Sequence, residues 1–183
     1  VWVCVFQHYG FLLEGNKSDV VDVSNSANDM LAETITSLGS PEFQAWKSEV
    51  LMQNDIGPRY YGTHRTAHIP FLELVHTDEV SWALATSARI AVLKESERRS
   101  YFKALQGSII SNSNEKEAFR LLADLFNKKK NQSRLSHTTI EEDRAALQSG
   151  SASANASLAI QWRIDQKACL ARKLEYCILR LSA

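Results

Sequence analysis

The sequence is short of several things at once, and each shortage closes off a class of explanation. It carries no excess charge of either sign: 21 Lys and Arg balance 21 Asp and Glu, for a formal net charge of zero over 183 residues. No whole-molecule field therefore draws it to nucleic acid or to an acidic membrane, and any charge-based recognition must be local. Its three cysteines, Cys4, Cys169 and Cys177, are an odd number without paired metal-ligand spacing. Cys169 and Cys177 stand eight residues apart on what reads as one helix, too far along the axis to bond to each other. That favours a reducing, intracellular compartment. No stretch approaches the roughly 20 apolar residues that a membrane-spanning helix needs, and the opening run Val1 to Phe6 is far too short for a signal-peptide core. That run reads as an interior segment cut open. No glycine pattern cradles a phosphate, no Ser, Cys or His grouping pairs a nucleophile with a base, and no fixed-period repeat suggests a solenoid.

What is present points to a folded, mainly helical domain. At 44% hydrophobic and 23% charged, the chain supports a core large enough to be stable without metal or disulfide staples. Val20-Val21-Asp22-Val23, between the turn-formers Asn16 to Asp19 and Ser24-Asn25-Ser26, reads as a short strand. Nearly everything after it reads as helix. Ser40-Pro41-Glu42 supplies an N-cap, a first-turn proline and an acid at the positive helix end, and Phe43, Trp46, Val50 and Leu51 follow at helical spacing. Gly57-Pro58 stops that helix or lies shortly beyond its end, and Arg59 to Pro70 reads as an irregular connection. Thr77-Asp78-Glu79 is expected to cap a helix with Val80, Leu84, Ser87, Ala88 and Ala91 on one side, and a short helix is expected from Glu95 to Leu105.

The strongest amphipathic element starts at an expected Ser113 or Asn114 cap, with Glu115 and Glu117 complementing the helix dipole. It buries Ala118, Leu121, Leu122, Leu125 and Phe126 and ends near Lys128-Lys129-Lys130. Thr139 and Glu142 match a capping box for a short helix to Leu147. The last helix, from about Ala154 to Leu181, is expected to bury Leu158, Trp162, Leu170, Leu174, Cys177, Ile178 and Leu181. Arg163, Lys167, Arg172, Lys173 and Arg180 are expected to turn outward. That basic face could grip an acidic partner or nucleic acid, but Glu141, Glu142, Asp143, Asp165 and Glu175 blunt its field and a solvated face is the simpler reading. His64 and His68 have an i, i+4 spacing that would suit a metal on a helix, yet the glutamate of the zinc-protease pattern is absent, Pro70 follows closely and no third ligand is evident. Trp46, Tyr60, Tyr61, Trp82 and Tyr101 could anchor a protein partner or simply fill the core.

Three pieces in order carry a resemblance: Tyr9-Gly10-Phe11, then Asn114-Glu115, then Thr138-Thr139-Ile140-Glu141-Glu142-Asp143. Together they resemble the back half of the SET-domain protein methyltransferases named for the Rubisco large-subunit lysine methyltransferase, over roughly residues 5 to 181. The resemblance implies residues 1–25 as the end of a SET domain and 26–183 as the helical substrate-binding lobe. It implies a protein substrate, no nucleic acid or membrane partner, and, in the intact enzyme, methyl transfer from S-adenosylmethionine to a lysine or, in some relatives, a histidine. Tyr9 and Phe11 then belong to the channel around the target amine, where an aromatic wall excludes water and orients the nucleophile. The same two residues also suit an ordinary core. The family's Asn-His cofactor motif and its catalytic tyrosine fall upstream of the YGF tripeptide, beyond Val1, so no methyl transfer is expected of these 183 residues alone. The sequence departs from the family at Trp2-Val3-Cys4-Val5-Phe6, where Asn-x-x-Leu-Leu is usual, and at Ser136-His137, before Thr138-Thr139, where a tyrosine is common. A non-catalytic helical interaction module is the alternative from a different functional class.

Overall fold

The structure is a computed structural model that describes residues 20–56, 72–74, 77–131, 133–150 and 152–182. Within them the domain is mainly α-helical, with one small antiparallel ribbon. Strand β1 (Val20–Asp22) pairs with β2 (Leu72–Leu74), setting Val21 opposite Glu73. Three residues leave no alternating pattern to read, which is why β2 is not expected from sequence.

Helix α1 (Ser24–Ser37) begins directly after the ribbon, at the three residues expected to form a turn. Serine and asparagine suit a helix start as well as a turn, and two further features decide between the readings. The Asp22 carboxylate accepts from Ser24 N at 2.8 Å and Ser24 Oγ at 2.5 Å, closing the corner. Ala27, Leu31 and Ile35 then fall on one buried face at four-residue spacing. Helix α2 (Pro41–Gln53) starts as expected, with Ser40 Oγ accepting from Phe43 N at 3.3 Å and Pro41 in the first turn. Gly39, at φ 88°, links the two helices; a Cβ there would stand 2.6 Å from Phe43 Cδ1. The end of α2 is a left-handed cap on Asp55 (φ 56°), with Ile56 N donating to Leu51 O at 3.0 Å and Asp55 N to Met52 O at 3.2 Å. The helix therefore stops before Gly57-Pro58, and those two residues lie outside the described ones, as does the connection 59–70.

Helix α3 (Trp82–Ala91) is capped by Ser81, whose Oγ accepts from Leu84 N at 3.4 Å, not by Thr77-Asp78-Glu79. Thr77 and Glu79 are engaged elsewhere, since the Thr77 hydroxyl and the Glu79 carbonyl both accept from Lys173. Every residue from Leu84 to Ala91 is buried, because α1, α2 and the later helices surround this one. The expected helix from Glu95 splits into a 3-10 stretch (Glu95–Ser100) and α4 (Tyr101–Leu105). Helix α5 (Asn112–Lys130) is capped by Ser111, two or three residues earlier than expected, with Ser111 Oγ accepting from Asn114 N at 3.1 Å. Asn114 faces inward and donates to Arg89 O at 2.9 Å.

After the single turn α6 (Ser133–Ser136), α7 (Ile140–Gln148) opens on the expected capping box: Glu142 N donates to Thr139 Oγ1 at 3.1 Å and Thr139 N to Glu142 Oε2 at 2.7 Å. Helix α8 (Ala154–Ser182) runs along α5 and is flanked by α7. A continuous core joins α1 to α8, with Phe43, Leu51, Leu93, Leu122 and Phe126 in its interior. Each such side chain contributes about 1.5–3 kcal/mol on burial.

Candidate functional site

Of the residues singled out from sequence, Tyr9 and Phe11 lie outside the described ones, as do His64, His68, Tyr60, Tyr61 and Cys4. Among the described residues no group of three metal-ligating side chains comes together. Burial pushes the Cys169 thiol up to about 11 and the Cys177 thiol up to about 12, so both stay protonated at neutral pH and neither is a nucleophile. The candidate aromatic anchors divide. Trp46 is half-buried, stacked on Phe43 at 5.3 Å, edge-on to Tyr101 at 5.3 Å and covered by the Arg98 guanidinium at 4.6 Å. Trp82, at the start of α3, is 49% exposed and lies against Gly107.

The expected basic face of the last helix is not one face. Lys167 and Lys173 are buried, and Ile178, expected inside, is 51% exposed. Residue type alone places Lys and Arg outward, whereas the inner seam of α8 includes 163, 167, 170, 173, 177 and 180, and carboxylates from other elements meet it there. Glu73 on β2 and Lys173 are both fully buried at 3.5 Å, with Ser81 N and Oγ donating to the carboxylate at 3.0 and 2.7 Å. Burial pushes the Glu73 carboxyl up against the pull of Ser81 and Lys173. Asp143 on α7 takes Arg163 Nε at 3.0 Å and Lys167 Nζ at 2.7 Å, while Lys167 also donates to Thr138 O at 2.5 Å. The Arg163 bonds, outweighing burial and joined by Lys167 and Thr138, hold the Asp143 carboxyl well below the usual range. Glu115 on α5 accepts from Arg89 Nε at 2.7 Å, Arg89 NH2 at 2.9 Å and Arg180 NH2 at 2.6 Å. Burial alone would raise its carboxyl; the two guanidiniums lower it. Three charge clusters therefore fix the rotation and axial position of α8.

Sequence reasoning missed Glu73, Arg89 and Lys47. Arg89 did leave a signal, since it is the only charged residue between Val80 and Leu93. Lys47 is fully buried without a carboxylate: Nζ donates to Ala91 O at 2.9 Å and Leu38 O at 3.3 Å, tying together the ends of α3 and α1, and burial lowers its amine to about 8.

Among the clefts lined by described residues, two are largely apolar. One, of about 460 Å³, lies between the end of α1, the turn after α3 and α5, with Leu38, Val92, Leu93 and Leu121 as its apolar lining and Glu95, Asp124 and the Glu117–Arg120 pair (2.6 Å) among its charges. The other, of about 620 Å³, lies between α1 and α2 and is floored by Ile35. Apolar clefts with a few charged groups at their edges, set on a helical scaffold, have the character of a binding lobe.

That class has a family. The family model described as Rubisco LSMT substrate-binding matches residues 40–170, from the cap of α2 to the middle of α8. The chain belongs to that family. No curated protein matches it.

Proposed function

We propose that this chain is the protein-substrate-binding lobe of an S-adenosylmethionine-dependent methyltransferase, holding a protein target for transfer to a lysine or histidine at a SET domain. The observation that carries this reading is the family match over residues 40–170, which falls on the helical part of the molecule. The lobe's contribution is affinity and orientation: a target seated on a fixed surface presents its amine at one distance and angle, which removes much of the entropic cost of the encounter. Tyr9 and Phe11 are proposed to line the amine's channel.

When bound, the cofactor supplies an electrophilic methyl group. The cleft beside α5 sets Glu95, Glu117 and Asp124 against Lys94 and Arg120, a lining with no charge preference for the cofactor's carboxylate, and none of these residues is assigned to it. No step of the transfer is assigned to the described residues.

The test is transfer of tritiated methyl groups from S-adenosylmethionine to extract proteins, comparing the full gene product with the same product lacking residues 26–183. The expected result is a large rise in KM for protein substrate on deletion. Unchanged kcat/KM would overturn the reading and favour an interaction module with a partner unrelated to methylation.

A further inference from the structure

Charge on this neutral chain is not evenly spread. Between residues 20 and 56 there are six carboxylates, Asp22, Asp29, Glu33, Glu42, Glu49 and Asp55, against a single cation, Lys47, for a formal charge of −5. That cation is fully buried and turned to backbone carbonyls. The outer surface of α1 and α2 is therefore acidic.

Within this acidic segment lies an apolar groove. Ala32, Ile35 and Thr36 of α1 face Ala45, Ser48 and Met52 of α2 across about 620 Å³, with Glu49 at the edge. The small residues keep the floor low, Ile35 is its buried base at 3% exposure, and Met52 stands at the lip, 53% exposed, where a flexible thioether adapts to varied apolar shapes. Both walls are helices whose backbone groups bond internally, so the groove offers no sheet edge to an extended peptide. An occupant must satisfy its own backbone, which a helix does. Glu49 at the edge and the carboxylate excess of residues 20–56 select against nucleic acid and anionic lipid, and against a second copy meeting groove to groove.

From this juxtaposition we infer that the α1–α2 groove receives an amphipathic helix of a protein partner, apolar on one side and flanked by Lys or Arg. Taking that partner to be the methylation substrate rests on the function proposed above; the docking itself does not.

The probes are three synthetic peptides of about 18 residues, long enough for an isolated helix: an amphipathic Leu/Lys helix, a scrambled peptide of the same composition, and an amphipathic Leu/Glu helix. Binding to the 183-residue chain is followed by amide chemical shifts. The expected result is that only the Leu/Lys helix binds, perturbing residues 32–52, more weakly in about 0.5 M than in about 0.05 M salt. The Glu33→Lys, Glu49→Lys double variant, checked for unchanged helical content, should weaken binding at least tenfold. Equal binding by the scrambled peptide, shifts centred on the α5 cleft, or dimerisation of the chain through this face by light scattering would each overturn the inference. In the methyl-transfer assay the same double variant should raise KM without changing kcat. If the helix docks but KM does not move, docking stands and the identification of the partner as substrate fails.

Discussion

The two ends of the described domain are held by different physics. Helix α8 is fastened to β2, α7 and α5 through buried carboxylates, each met by a cation of α8, buried at Lys167 and Lys173 and partly exposed at Arg163 and Arg180, and Arg89 of α3 shares the α5 carboxylate. Helices α1 and α2 are held by apolar contacts and by Lys47, a buried cation that meets backbone carbonyls and the Phe43 ring instead of a carboxylate. Apolar contacts tolerate sliding by a residue or two, but a bidentate or three-way charge contact has one register. The long helix, with 29 residues over which to drift, is the element whose position is specified by charge. Asp29, Glu33, Glu42 and Glu49 of α1 and α2 are exposed instead and form a surface field.

The sharpest way to break the comparison is to orphan one buried charge. Glu73→Ala leaves Lys173 fully buried without its carboxylate, and the expected loss is about 3–5 kcal/mol in urea unfolding. Replacing both, Glu73→Leu with Lys173→Met, should recover most of that loss, because a well-packed apolar pair avoids the desolvation of two ions. If the double variant is as unstable as the single one, the cluster contributes packing rather than charge balance.

Asp143→Asn sets Arg163 and Lys167 against a neutral amide and should cost about 3 kcal/mol at neutral pH. Its pH signature has a definite sign. The Asp143 carboxyl is depressed in the folded state, so its contribution is complete above the ordinary value of 3.8 and is lost as pH falls below it. Acid titration of stability should therefore be flatter in the variant than in the parent below about pH 4.

Lys47 has the opposite behaviour on the alkaline side. Its amine falls from 10.5 to about 8 on folding, so between those values the unfolded chain binds more protons and stability rises with pH. The expected gain is on the order of 2 kcal/mol between pH 8 and pH 10, measured by urea unfolding, and Lys47→Met should remove it. A parent protein whose stability does not rise over that window would mean the two carbonyls keep the ammonium charged.

Much of this architecture was legible because local rules and tertiary packing agreed. Ser40-Pro41 and the Thr139–Glu142 box are local chemistry, readable from four residues, and both form as expected. The stripe Ala118, Leu122, Leu125, Phe126 repeats often enough to declare a face. What failed depended on distant residues. Lys167 and Lys173 look like surface lysines until Asp143 and Glu73 are brought to them, over separations of 24 and 100 positions. Thr77 and Glu79 look like a cap until Lys173 takes them, and Ser111 precedes the expected cap because Ser113 and Asn114 are equally good cap residues. The acidic groove was hidden by a net charge of zero, which averages over the faces that matter.

The smallest effect separates local from tertiary stabilisation. Thr139→Ala removes the hydroxyl that accepts from Glu142 N, and a lost N-cap costs about 1 kcal/mol. Helix α7 also carries Asp143, so the cap could act on α8 by loosening the carboxylate that holds Lys167 and Arg163. Combining Thr139→Ala with Asp143→Asn distinguishes the two routes. If the cap only stabilises α7, the losses add; if it works by holding Asp143 in place, the double variant loses little more than Asp143→Asn alone. The residues are four positions apart on one short helix, and Thr138 Oγ1, beside the cap, donates to Asp143 Oδ1 at 2.8 Å. Coupling of about 0.5 kcal/mol or more is the expected result, which would make the capping box part of the machinery that sets the register of α8.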